Sequence, residues 1–313
     1  MRRDFIVNTP KQKFFFALFI IISSFLIFSF IAFLISLPFF NFFKLNIDLN
    51  DLSKHQNVMV LKYLQIIQTI GLFIIPALIL SYLFNGSIKS LFDYKIKPRV
   101  VSICILLLIM ITSIPVLNYL VDLNSNMVFP KILKAFEQWM RESENEAAKI
   151  TEAFLKVYTT KGLLFNIFLI GILPALGEEL IFRGILQRIF IDWTKNIHAG
   201  ILISAFIFSA IHLQFYGFLP RFLLGAFFGY LLVWSGTIWL PIFAHFVNNT
   251  VSVIVSYLIN IKIIDGEIEN FGSDTSTYLY TVLSLLTALG LIFVLYKIEK
   301  QNKIYQKDAI YEV

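Results

Sequence analysis

Three sets of residues in the second half of this chain have types and spacings that permit water chemistry. Glu178 and Glu179 adjoin one another in an apolar run, with Arg183 four residues after Glu179. Phe208 and His212 are also four apart, and so are His245 and Asn249. A carboxylate and an imidazole that share a water can deprotonate it, because a carboxylate removed from bulk water becomes a better proton acceptor. Glu178 and His212 suit those roles. A second imidazole beside a carboxamide offers donors toward the oxyanion that develops in amide hydrolysis, and His245 and Asn249 suit that task. Glu178, His212 and His245 are equally a possible ligand set for zinc or another divalent metal, with a fourth position left to water. Asn is a poor zinc ligand and the chain has no H-E-x-x-H helix, so spacing alone does not call for a metal.

Helical geometry separates the two acidic neighbours. Successive residues lie about 100° apart around a helix, so Glu178 and Glu179 point to different faces, whereas Glu179 and Arg183 can pair directly. Glu178 is then the carboxylate left free to act, and Glu179 with Arg183 serves as local support. Pro174 has no N–H, so it should free the carbonyl four residues earlier and disturb the helix just before the acidic pair. Such a defect persists in a membrane only where neighbouring groups satisfy the backbone. Pro241 is a second possible kink, before His245, and Asn248 points away from the His245 face. Gly225 and Gly229 have small-xxx-small spacing, which predicts close helix packing rather than chemistry.

The elements that must carry these residues are membrane helices. Apolar residues make up 58% of the 313, charged residues 15%, and the mean hydropathy is +0.78. They fall in blocks long enough to span a bilayer, which takes about 20 residues. The blocks are 14–40, 63–84, 100–121, 162–187, 198–213, 219–235, 237–259 and 276–296, which predicts an all-α, polytopic bundle of about eight spans. The first block is too long for a signal peptide and has no A-x-A-like cleavage site, so it reads as a retained span. With helix ends near 187, 198 and 237, Glu178, His212 and His245 all lie roughly 12 to 21 Å from one membrane face. Their convergence is therefore geometrically allowed.

Lys and Arg set the orientation. Arg2, Arg3, Lys11 and Lys13, the 85–99 loop with Lys89, Lys95, Lys97 and Arg99, the 188–197 connection with Arg188 and Lys195, and the tail with Lys297, Lys300, Lys303 and Lys307 fall on one side of an eight-span chain. That side is predicted to be cytoplasmic in a cell membrane, with both termini on it. The acidic 260–275 loop and the mixed-charge 122–161 segment fall on the other. In that segment Ile132, Phe136, Trp139, Met140, Ala147, Ile150 and Phe154 recur at helical spacing, which predicts surface helices lying on the membrane or capping the bundle. The net charge of +6 is explained by topology, so no nucleic-acid partner is expected. The single Cys104 excludes an intrachain disulfide and a C-x-x-C motif. Residues 1–313 read as one domain.

The ordered series Glu178-Glu179-x-x-x-Arg183, Phe208-x-x-x-His212 and His245-x-x-x-Asn249 resembles the CPBP family of intramembrane proteases, over residues 160–255. That family includes the type II CAAX prenyl endopeptidases and the bacteriocin-processing or self-immunity proteins, and has also been called Abi. The resemblance implies an eight-helix bundle with an intramembrane catalytic cavity and a membrane-associated peptide or protein as substrate. It further implies that Glu178 and His212 activate water, that His245 and Asn249 hold the oxyanion, and that Glu179, Arg183 and Phe208 shape the site. Both a metalloprotease and a metal-free glutamate protease are compatible with it; the residue types favour the latter. Two other readings stand beside it. One is a proton- or ion-coupled transporter that uses the buried charges as a path, although these charges all lie in the second half of the chain. The other is a non-cleaving immunity protein or pseudoenzyme of the same fold.

Overall fold

The computed structural model describes residues 9–40, 51–92, 98–127 and 129–301. Arg2, Arg3, Lys95, Lys97, Lys303 and Lys307, on which part of the orientation reading rests, lie outside them. The described residues form helices and no strand. In chain order these are α1 (Pro10–Phe40), α2 (His55–Asn85), α3 (Val100–Thr112), α4 (Ile114–Ser125), α5 (Lys134–Leu155), α6 (Thr160–Thr194), α7 (Ile197–Ala210), α8 (Phe218–Ser235), α9 (Trp239–Asn260) and α10 (Tyr278–Gln301).

Six of these, α1, α2, α6, α8, α9 and α10, are long and apolar enough to cross a membrane. The block expected at 100–121 is a pair, α3 and α4, bent by 44° at Ser113 and Pro115. It counts as one further span. The block expected at 198–213 is the short α7, which stops at Ala210 and leaves His212 on the turn beyond it. Among the described residues this makes six or seven spans of a multi-pass membrane protein, compatible with the eight or so expected. Large apolar side chains such as Phe19, Phe30, Leu286 and Phe293 stay exposed, as lipid-facing positions require.

Two prolines leave the same mark. α2 contains a π-helical segment, Ile70–Ile74, just before Pro76, and α6 contains one, Ile167–Ile172, just before Pro174. A proline has no N–H for the carbonyl one turn back, and widening that turn is one way for a helix to continue past it. The expected disturbance at Pro174 is thus a π segment within one continuous helix. A third π segment, Phe182–Leu186, includes Arg183. α6 occupies the middle of the bundle and touches α2, α7, α8 and α9. Gly177 of α6 lies against Thr69, Phe73 and Ile74 of α2, where an added Cβ would come within 3.1–3.2 Å of side chains.

The 122–161 segment contains one long helix, α5. Only Met140 and Phe154 of its apolar set are buried; Ile132, Phe136, Trp139 and Ile150 remain exposed. Its C-terminal end is pinned to the bundle. Lys62 Nζ, on α2, donates to the Phe154 carbonyl at 3.0 Å and to Asn166 Oδ1 at 2.9 Å. Asn166 Nδ2 donates to the same carbonyl, and Asn260 Nδ2 to that of Leu155. A cation at a helix C-terminus compensates both the orphan carbonyls and the dipole. Further along, Glu144 accepts the Tyr216 N–H at 3.1 Å, and Trp139 packs on Phe215, 5.2 Å between ring centroids. α5 therefore braces the 211–217 loop that follows α7. Replacing Lys62 with Met should cost about 1–2 kcal/mol, the value of a partly buried charged hydrogen bond. It should also speed deuterium uptake at 150–157; unchanged uptake there would show that the pin carries no load.

Candidate functional site

Arg183 is the largest side chain sealed in the bundle, 1% exposed. Its Nη1 donates to Glu179 Oε1 at 2.8 Å, and its Nη2 to the Gly225 carbonyl of α8 at 2.8 Å. Gln187, one turn on, repeats the second contact with the Gly229 carbonyl at 3.2 Å. Gly225 and Gly229 pack as their spacing predicts: an added Cβ would come within 3.3 Å of Arg183 Nη2 at the first and 2.6 Å of Gln187 Oε1 at the second. The guanidinium also lies over the Phe208 ring, 4.7 Å from its centroid, and within 5.6 Å of that of Phe228. A desolvated cation thus has a carboxylate, a carbonyl and two aromatic faces.

The same aromatic rings hold His245. Phe228 stacks on it at 5.4 Å and 25°, and Phe208 meets it edge-on at 5.9 Å. His245 Nδ1 lies 2.8 Å from Glu179 Oε1, and its Nε2 lies 3.8 Å from Glu178 Oε2. Because a carboxylate oxygen accepts, Nδ1 carries a proton and Nε2 faces Glu178. The two glutamates do occupy different faces of α6, yet both reach His245, one at each ring nitrogen.

His212 and Asn249 stand at the margin of this cluster. His212 Nδ1 donates to the Phe208 carbonyl at 2.7 Å, which leaves Nε2 as the free acceptor, and its ring meets Phe208 edge-on at 5.2 Å. It is half-buried on the turn after α7, just before Leu213, a residue with φ of 53°. A bulky side chain in the left-handed region is uncommon and marks a turn held by its surroundings. Arg221 restrains the same loop by donating to Gln214 Oε1 at 2.6 Å. A cavity of about 390 Å³ opens beside it, lined among others by Thr151, Glu152, Gln214, Ser256 and Asn260. Asn249 Nδ2 donates to the Ile170 carbonyl at 3.0 Å, and its Oδ1 accepts from Asn248 at 3.2 Å. Among the described residues no three His, Cys, Asp or Glu side chains converge closely enough to hold a metal ion. Gln187 and Lys62 had no place in the sequence reading. The signal for Gln187 was its position one turn after Arg183, and for Lys62 its place at the start of an apolar block.

Residues 160–251, which span this cluster, match the family model described as type II CAAX prenyl endopeptidase Rce1-like. This match supports the resemblance of the core to the CPBP family, over less than a third of the chain. YdiL of Bacillus subtilis (strain 168), a candidate membrane peptidase, is 36% identical over 115 residues, 37% of this chain and 44% of YdiL. YpbD of the same organism, an uncharacterized protein, is 29% identical over 100 residues, 31% of this chain and 48% of YpbD. The chain spans less than half the length of these curated relatives. No solved structure matches it significantly. The geometry makes a separate demand on Arg183. Arg183→Ala should destabilise the protein by about 3–5 kcal/mol, because it leaves Glu179 buried and uncompensated. Arg183→Lys should recover part of this, since an ammonium lacks the planar fork. Thermal unfolding in detergent measures both, and an alanine variant as stable as wild type would contradict the ion-pair account.

Proposed function

We propose that this chain is an integral-membrane endopeptidase that cleaves membrane-associated peptides or proteins with water activated by Glu178. The observation that carries this reading is His245, fixed by Glu179 through Nδ1 and turned by Nε2 toward Glu178 at 3.8 Å. The match of residues 160–251 to the Rce1-like family model supports it.

In the proposed reaction, a water held between Glu178 and His212 Nε2 gives up a proton as its oxygen attacks the scissile carbonyl. The oxyanion forms against His245, which donates to it from Nε2. The proton taken from water then passes to the leaving amine, and the C–N bond breaks. We assign the oxyanion to His245 rather than to Asn249, whose Oδ1 and one N–H are already engaged. Glu179, Arg183 and Phe208 hold His245 in place. The spread of the ligand candidates favours the metal-free glutamate type over a zinc site. The charged groups gather around one histidine rather than along a path, which favours catalysis over ion transport.

The test is cleavage of a panel of membrane-tethered peptides by the purified chain and by Glu178→Ala, each with and without a strong chelator. Wild type should cleave equally in both conditions, and loss of the base should slow it at least about 100-fold. Loss of activity with chelator, restored by zinc, would establish the metalloprotease instead. Full activity in Glu178→Ala would rule out the proposed base.

A further inference from the structure

Arg221 is a strong base near Glu178 that the proposed reaction leaves unused. It lies in the first turn of α8, where the helix dipole disfavours a cation. The residue is half-buried, and no ion pair among the described residues includes it. Glu144 of α5 and Glu178 of α6 are the carboxylates within electrostatic reach, neither as close as 4.0 Å, and His212 lies within the same reach. Both carboxylates have other partners: Glu144 accepts the Tyr216 N–H, and Glu178 faces His245 Nε2. Arg221 instead bonds a neutral residue. Its Nη1 donates to the Gln214 carbonyl at 3.3 Å and its Nη2 to Gln214 Oε1 at 2.6 Å, which leaves three of the five guanidinium N–H groups without a protein acceptor among the described residues. The loop runs close beneath the fork, since a Cβ on Gly217 would crowd Nη2 at 3.0 Å. The bonds to Gln214 hold the loop that carries His212, but they do not need a charge. A half-buried cation without a counter-ion costs stability, and a ligand that carries a carboxylate would offset that cost.

We propose that Arg221 is a specificity-determining residue that binds a carboxylate of the peptide substrate, either an acidic side chain or the C-terminal group, and so sets which bond is presented to Glu178 and His212. A planar guanidinium meets a carboxylate through two parallel N–H groups, and the unused donors, Nε–H among them, can form that contact. Gln214 holds the fork before the ligand arrives, so little ordering is left for binding to accomplish. The proposal rests on the reading of Glu178 and His212 as the pair that activates water, because Arg221 lies within reach of both.

The experiment uses the full chain in detergent and a series of membrane-tethered peptides that share one scissile sequence. Each parent peptide has a free C-terminus and a single Glu, placed at successive positions on either side of the scissile bond. Its two neutral forms have a C-terminal amide or Gln in place of that Glu. For at least one parent, wild type should show a kcat/KM at least about tenfold above one neutral form, as a charge-assisted contact implies. The slower form identifies the source of the carboxylate. Arg221→Met should bring that ratio to within about twofold, and Arg221→Lys, which keeps the charge without the fork, should give an intermediate ratio. No preference in wild type for any parent over its neutral forms would overturn the proposal, and so would a ratio that survives in Arg221→Met. If Arg221→Met does not fold, the Lys variant decides, and a full wild-type ratio in it overturns the proposal. If wild type cleaves none of the peptides, the proteolytic reading fails by itself. Equilibrium binding of the same peptides to wild type and to both variants then decides whether Arg221 holds a carboxylate.

Discussion

A guanidinium sealed inside an apolar bundle dictates what surrounds it. Arg183 is too deep for water to solvate, so its charge has to be met by protein groups. Glu179 meets it from the same helix, the Gly225 carbonyl from α8, and the Phe208 and Phe228 rings from two sides. A Cβ at 225 would crowd the fork at 3.3 Å, and Glu179 is committed to Arg183 and His245. Of the acidic pair, only Glu178 keeps a carboxylate outside the ion pair.

His245 converts this support into a working arrangement. The shared Glu179 oxygen receives Arg183 Nη1 and His245 Nδ1, each at 2.8 Å, so the buried cation fixes the imidazole through one atom. The stacked Phe228 ring limits rotation of the imidazole, and Nε2 is left facing Glu178. α9 contributes the histidine and, through Asn249, a hydrogen bond to the Ile170 carbonyl of α6. Outside the core, α5 braces the loop that carries His212 onward to α8, with Lys62 as its anchor.

Much of this was legible in the chain. Block lengths predicted the spans, because the bilayer thickness leaves little choice of helix length. The four-residue spacing predicted the Glu179–Arg183 pair, and Pro174 predicted a disturbed turn, which is the π segment Ile167–Ile172. Gly225 and Gly229 announced close packing. What could not be read was any contact between helices. Nothing in the spacing of His245 says that both glutamates reach it, and nothing in that of Asn249 says that it finds Ile170. Phe208 appeared only as a motif position, yet its ring touches Arg183, His212 and His245. The end of α7 at Ala210 and the bend at Ser113 were also out of reach, since an apolar run does not mark where a helix yields to a turn.

The central claim is that two adjacent carboxylates have separate duties, Glu179 in holding the site and Glu178 in the reaction. The most direct test compares Glu178→Gln with Glu179→Gln, recording the unfolding temperature and the single-turnover cleavage rate of each in the same detergent. The account predicts that Glu178→Gln unfolds close to wild type but has lost turnover. It predicts that Glu179→Gln unfolds at a clearly lower temperature, because the Arg183 guanidinium has lost its counter-charge. A Glu178→Gln protein that cleaves normally, or a Glu179→Gln protein as stable as wild type, would contradict it.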